Sequence, residues 1–152
     1  MPLAEGRKNR VYTHTVERQI MWGDLDALGI VFYPRYYEWI DAAAHLFFDS
    51  IGLDMNNLRQ RQHLVFGLVE TCCGYRQPGR YHQKIRITTH LGELGLKTLV
   101  LHHAIAAAEG GAPMVDGREK RICLDVRDPL RLKAVAFPEG IYRILKEKQA
   151  EA

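Results

Sequence analysis

The segment 34–51 carries more apolar surface than a helix lying on one side of a protein can use. Tyr36, Ile40, Ala43, Phe47 and Ile51 recur at steps of 4, 3, 4 and 4, which is one face of an α-helix. Trp39, Ala42 and Phe48 widen that face beyond a stripe. Pro34 suits the first helical position, and Gly52 suits the residue just past the end. The spacing predicts a helix of about five turns over residues 34–51, embraced by other structure.

The remainder of the chain supplies that structure as strands. Over residues 11–22 the pattern alternates, with Val16, Arg18, Ile20 and Trp22 on one side. Residues 23–33 hold two glycines and no helix cap, so they read as a turn and loop. Residues 64–76 can be a strand, and 81–91 alternate better, with Ile85, Ile87, Thr89 and Leu91 in phase. Residues 92–95 read as a turn, 97–108 as a strand, Glu109-Gly110-Gly111 as a hairpin turn, and 114–127 as the next strand. Little helical periodicity returns until Pro138-Glu139 opens a terminal helix with Ile141, Ile144 and Leu145 inward. Strands in close succession pair antiparallel, so the reading is an α+β fold: a five-stranded antiparallel sheet wrapped around one long central helix.

At 152 residues this is one domain, expected over residues 11–148 after a flexible segment 1–10. A formal net charge of +3, from 21 Lys+Arg and 18 Asp+Glu, is too mild for a nucleic-acid footprint. No apolar run has the length of a membrane helix, and residues 1–8 have no apolar core for a signal peptide. The expectation is a cytoplasmic protein with no nucleic-acid or membrane partner. Cys72, Cys73 and Cys123 form no CxxC pair and read as buried free thiols of a reducing compartment. His102 and His103 are adjacent on a strand and face opposite ways, and no HxxxH or HxH motif occurs, so no metal site is expected.

The chemistry concentrates between residues 22 and 34. Asp24 and Asp26 stand two apart at a strand end, and a loop leads from them into the start of the central helix. The first turn of a helix offers unpaired N–H groups and a positive dipole end. Tyr33, before Pro34, is a poor side-chain cap, so an amide at or after it is open to a ligand oxygen. A carboxylate beside such donors is what acyl-group hydrolysis needs: the donors stabilise an oxyanion, and the acid activates water or attacks the carbonyl. On spacing alone, the same aspartates read first as organisers of the turn, the usual work of aspartate there.

The string Asp24-x-Asp26-x-x-Gly29-Ile30-Val31-Phe32-Tyr33-Pro34-x-Tyr36, running on to Trp39-x-Asp41-Ala42, closely resembles the 4-hydroxybenzoyl-CoA thioesterase family of the hotdog fold. The close of the chain, Arg131-Leu132-Lys133-Ala134-Val135 before Pro138, is similar to that family's ending. The resemblance implies hydrolysis of an acyl-CoA thioester without a cofactor, in a homodimer joined sheet edge to sheet edge, often two such dimers forming a tetramer. It puts the catalytic acid at Asp26 and the oxyanion donor at the Tyr33 N–H, and leaves Asp24 structural. It places Asp41 near the ring hydroxyl of an aromatic acyl group, and Phe32 in the acyl pocket where an aryl-specific member can have Trp. Read from the residues alone, Glu38, Asp41, His45 and Asp49 also make a polar helix stripe, with His45 a structural partner of Asp41.

Coenzyme A brings phosphates, for which Lys97, Arg131 and Lys133 are the candidate cations. Some aryl-CoA members have an arginine pair where this chain has Gly95-Leu96. The implied activity is an acyl-CoA thioesterase with a hydroxybenzoyl- or benzoyl-type acyl group favoured. The alternative is a hotdog protein that binds acyl-CoA or acyl-carrier protein without turnover. A hydratase of the same fold would want a histidine paired with an acid.

Overall fold

The computed structural model describes residues 11–149. The expected flexible segment 1–10 lies outside the described residues. Six strands and three helices follow in the order β1 (His14–Gln19), α1 (Pro34–Ser50), α2 (Met55–Gln62), β2 (Leu64–Tyr75), β3 (Lys84–Leu94), β4 (Thr98–Ala107), β5 (Pro113–Asp125), β6 (Lys133–Ala134) and α3 (Glu139–Lys148). The sheet order is β1-β3-β4-β5-β2, and every pairing is antiparallel. β6 adds two residues to the end of β5. The curved sheet closes around α1, the hotdog arrangement that the motif implies.

The breadth of the apolar face of α1 explains its place. Ile40, Ala44, Phe47 and Phe48 are wholly buried, and they meet Ile87, Leu91, Leu101 and Ile105 from the inner faces of β3 and β4. Gly117 on β5 lets the helix come close, because a Cβ there would lie 2.6 Å from Ile40 Cδ1. α1 ends where expected, with Ile51 as cap and Gly52 at a φ of 81°. Ala104–Ala107 stay in β4 despite their helix propensity, because both neighbouring strands pair with them.

Three readings need correction. α2 is a helix that apolar periodicity does not reveal, since Leu58 is its one buried residue. It is fixed by its ends instead, with Asp54 Oδ1 accepting from Asn57 N–H and His63 in the left-handed region at φ 56°. The turn expected at 92–95 begins at Gly95, because β3 runs through an irregularity to Leu94. Of the thiols, Cys123 is buried and Cys73 half-buried, but Cys72 is exposed. Cys72 and Cys73 alternate on β2, and the sheet edge leaves one of them uncovered.

The two edge strands differ. β1 is short and carries Glu17 and Arg18. β2 is 12 residues long, pairs only on its β5 side, and exposes Leu68, Val69 and Tyr75. No described helix is long and apolar enough to cross a membrane.

Candidate active site

The two aspartates of the motif have separate tasks. Asp24 is buried, accepts from Met21 N–H through Oδ2 at 2.8 Å, and lies 3.9 Å from Arg18 and 4.0 Å from Arg35. These contacts hold its carboxylate at the start of the loop, in keeping with a structural role. Asp26 is half-buried and opens a tight turn. Its N–H donates to Ile30 C=O at 2.8 Å, its C=O accepts from Gly29 N–H at 3.0 Å, and Gly29 takes a φ of 76° that favours glycine. Asp26 Oδ1 accepts from Leu28 N–H at 2.8 Å, an Asx-type turn that fixes the carboxylate. The turn-organising reading of Asp26 is met by Oδ1, while Oδ2 makes no hydrogen bond among the described residues.

The loop then delivers one open amide. Val31 N–H donates to Gly79 C=O and Phe32 N–H to Asp24 C=O. At the start of α1, Arg35 N–H donates to Phe32 C=O and Tyr36 N–H to Tyr33 C=O, while Pro34 has no N–H to give. From Val31 to Tyr36, the Tyr33 N–H alone lacks a partner among the described residues. It stands at the positive end of a 17-residue helix.

Asp26 and Tyr33 line one pocket of about 440 Å³ with Ile30, Val31, Tyr36, Tyr75, Arg76, Gln77 and Pro78. The wall from Tyr75 to Pro78 follows β2 and was not visible in the motif, which ends more than thirty residues earlier. Gly79 carries that wall to the loop: its N–H donates to Tyr36 Oη at 3.1 Å, while its C=O takes the Val31 N–H. Burial raises the Tyr36 phenol above its ordinary range despite that bond, and burial followed by the neighbouring Tyr37 hydroxyl raises Tyr75 strongly. Both phenols therefore remain neutral hydrogen-bond donors at the pocket. No histidine lines it.

The other expected site residues lie outside this pocket. Phe32 is exposed, with its ring 5.7 Å from that of Tyr33. Asp41 is on α1, where Arg121 Nη2 of β5 donates to its Oδ1 at 2.8 Å and His45 Nε2 lies 3.6 Å away. Lys97, Arg131 and Lys133 are all exposed. Lys97 C=O accepts from Cys123 N–H, and Lys133 pairs with Asp125 in β6, so both sit at the end of β5 where it meets Leu64 of β2. Tyr75, at the pocket, pairs with Val115 at the opposite end. Ten strand residues separate Val115 from Asp125, roughly 30 Å. Within one protomer the cations and the pocket are at opposite ends of the sheet.

Comparison with known proteins places the chain in a family. The model of the thioesterase-like superfamily matches residues 20–145. A 4-hydroxybenzoyl-CoA thioesterase of Pseudomonas sp. (strain CBS-3) is 26% identical over 128 residues, which are 82% of this chain and 91% of that protein. The solved structure of the Pseudomonas enzyme superposes with a TM-score of 0.79 at 28% identity, over 88% of this chain and 98% of that one. A gentisyl-coenzyme A thioesterase superposes with a TM-score of 0.74 at 30% identity, over 84% of this chain and 98% of the other.

Proposed function

Because the chain belongs to the thioesterase-like superfamily, we propose that it is an acyl-CoA thioesterase that hydrolyses its substrate to the free acid and coenzyme A, with an aromatic acyl group of hydroxybenzoyl or benzoyl type. The observation that carries this is the pairing, in one pocket, of a half-buried carboxylate with the single open amide at a helix start. Tyr33 N–H receives the thioester oxygen and, with the helix dipole behind it, stabilises the negative charge that develops there. Asp26 either takes a proton from the attacking water or attacks the carbonyl carbon itself. The carbon–sulfur bond then breaks and coenzyme A leaves as a thiolate that takes up a proton; on the nucleophilic route water then hydrolyses the anhydride formed on Asp26, which releases the acid and restores the carboxylate. Neutral Tyr36 and Tyr75 line the space beside the reacting atoms. The test is thiol release over a panel of acyl-CoA esters with Asp26→Asn beside the native protein. A near-native rate for the variant, or tight binding without thiol release by the native protein, sinks the reading.

The aromatic preference is supported by the ring-lined pocket and by the names of the relatives, whose acyl groups are themselves aromatic. The working unit is a homodimer. The long bare edge of β2 invites a second copy, and a two-fold pairing of two β2 strands is antiparallel. Such a pairing carries the Leu64 end of one protomer, with Lys97, Arg131 and Lys133, towards the Tyr75 end of the other. The nucleotide phosphates of coenzyme A would then meet cations of the subunit that does not supply Asp26. Two dimers join into the tetramer. Residues 11–148 form the catalytic domain, and free thiols together with an acyl-CoA substrate fit a cytoplasmic setting.

A further inference from the structure

The backbone at the start of α1 is sparing with donors. A developing oxyanion can take more than one hydrogen bond, yet the chain offers a single amide. Tyr33 N–H is open, Pro34 has no N–H, and the amides of Arg35 and Tyr36 are spent on Phe32 C=O and Tyr33 C=O. A second donor has to be a side chain.

Tyr36 carries one in the same pocket. A phenol accepts hydrogen bonds and donates one. At Tyr36 the accepting side is taken by Gly79 N–H, at 3.1 Å inside the protein. The O–H proton meets no acceptor among the described residues, although Tyr36 is only 3% exposed. A buried donor without a partner costs free energy, and native structures seldom leave one idle. The pocket that Tyr36 lines is the one that holds Asp26 and Tyr33.

The hydroxyl is held at the correct end of the helix. Tyr36 N–H donates to Tyr33 C=O, so the two residues stand one turn apart. Helical side chains lean towards the N-terminus, so the Tyr36 ring covers the turn that Tyr33 begins. The Gly79 peptide that donates to Oη also accepts from Val31 N–H. A Cβ on Gly79 would lie 2.7 Å from Val31 Cγ2 and 2.9 Å from Tyr36 Oη, which makes those two atoms near neighbours. Oη thus sits against the loop two residues before the open amide. Trp39 and Tyr75 flank the ring, with centroids at 5.4 and 5.8 Å. A donor fixed in this way needs no reorganisation when charge develops. Burial raises the phenol above its ordinary range, so the proton stays on Oη at neutral pH.

We propose that Tyr36 is a catalytic residue: its hydroxyl, tied on the accepting side to Gly79, donates to the thioester oxygen beside Tyr33 N–H and forms the second half of the oxyanion site. This rests on the thioesterase reading above. As Asp26 or water adds to the carbonyl carbon, the π electron pair moves onto oxygen, where one amide and one phenol meet the charge. When the pair returns, the carbon–sulfur bond breaks and the thiolate leaves. The Tyr36 proton remains on Oη throughout.

The experiment takes the best ester of the thiol-release panel, benzoyl-CoA on the reading above, with carbon-13 at its carbonyl. Tyr36→Phe should lower kcat about a hundredfold, the usual loss for one such donor, and leave KM within about threefold. A wall displaced by the lost Gly79 bond would also slow the rate, so the deciding measurement is direct contact. It is the isotope-edited infrared band of the bound thioester carbonyl, with turnover held back by Asp26→Asn. In that background Tyr36→Phe should move the band to higher frequency, because one donor is gone. Tyr36→3-fluorotyrosine, a stronger donor in the same place, should move it lower. That variant keeps an oxygen for Gly79 N–H, and it decides the matter alone if the phenylalanine variant does not fold. A band that neither replacement moves puts the hydroxyl on Asp26 or on the fold alone and overturns the proposal, as does a folded Tyr36→Phe variant with native kcat. A native protein that releases thiol from no ester of the panel fails the thioesterase reading instead, before Tyr36 is touched.

Discussion

The amide of Gly79 donates to the hydroxyl of Tyr36 across 43 residues, at 3.1 Å, and by that bond the end of β2 is fastened to the first turn of α1. No other residue fits at 79. A Cβ there would lie 2.7 Å from Ile20 Cδ1, 2.7 Å from Val31 Cγ2 and 2.9 Å from Tyr36 Oη. Ile20 can swing away, but Val31 is β-branched and Tyr36 is held in the pocket wall. Gly79→Ala is expected to cost about 1–3 kcal/mol of stability by overpacking and to slow hydrolysis by shifting the wall beside Asp26. Urea unfolding and thiol release measure the two effects. Unchanged stability together with unchanged rate would show that the wall gives way freely.

Asp26 offers a separation of folding from chemistry. Asparagine keeps an acceptor oxygen for Leu28 N–H and so keeps the Asx turn, while it loses the charge. Alanine loses both. Asp26→Asn should melt close to the native temperature and hydrolyse at least about a hundredfold more slowly, in keeping with the loss of a catalytic base. Asp26→Ala should be as slow and also less stable. Equal melting temperatures for the two variants would remove the structural half of this account.

Acid should act on the fold in two stages. Burial and then the neighbouring His102 and His103 lower His90 below its ordinary 6.5, while burial, then the Arg118 charge, lower His102, whose ring stacks on that of His90 at 5.1 Å. A base with a depressed folded pKa binds protons more readily unfolded, so stability falls as pH drops below 6.5 towards the folded values. Burial pushes the Glu119 carboxyl up, but His103 and Arg121 outweigh it and hold it below its usual 4.5. Its contribution is present above 4.5 and is lost as pH falls through the folded value. Urea midpoints against pH should show a first slope that His90→Gln with His102→Gln removes. A second, more acidic slope should remain in that variant and vanish in Glu119→Gln.

How much of this was open to reading follows a physical division. The face of α1, the hairpin at Glu109–Gly111 and the loop from Asp24 to Pro34 are local: period, turn chemistry and a missing cap are written in consecutive residues. α2 was not legible, because Met55 and Leu58 are the only apolar residues of Met55–Gln62 and its ends define it. The pocket wall at Tyr75–Pro78 was not legible either, since it reaches Asp26 through Gly79 and the sheet. Glu119 and Arg121 did leave a signal. They stand in phase with Val115 and Cys123 on a strand, where a charged residue is expected to alternate outward. Their inward phase was the cue to a buried network, and its partners His103 on β4 and Asp41 on α1 lie too far along the chain for spacing to disclose.

Cys123 reports on the core at its other end. It is fully buried beside α3, and burial, then Asp125, push its thiol up to about 11. Its modification by a water-soluble disulfide reagent should therefore track global unfolding in urea, while exposed Cys72 reacts in the native state. Tryptic mass mapping of the labelled protein distinguishes the two sites. Rapid native labelling of Cys123 would show that the α3 end opens independently.

The separation of pocket and cations decides between one subunit and two. Asp26→Asn removes the acid and leaves the basic end whole, whereas Arg131→Glu with Lys133→Glu reverses the basic end and leaves the acid whole. Each variant alone should be slow. When they are mixed, unfolded and refolded together, half of the dimers contain one copy of each. In such a dimer, if the cations serve the partner's pocket, one site inherits both defects and the other inherits neither. Activity should then return to about a quarter of the native level, because half of the molecules each carry one intact site of two. If the cations served the pocket of their own subunit, every site would keep one defect and mixing would restore nothing. The roughly 30 Å between the two ends of β5 favours the first outcome, and a mixture no faster than its components would refute the shared site while leaving the assignment of Asp26 untouched.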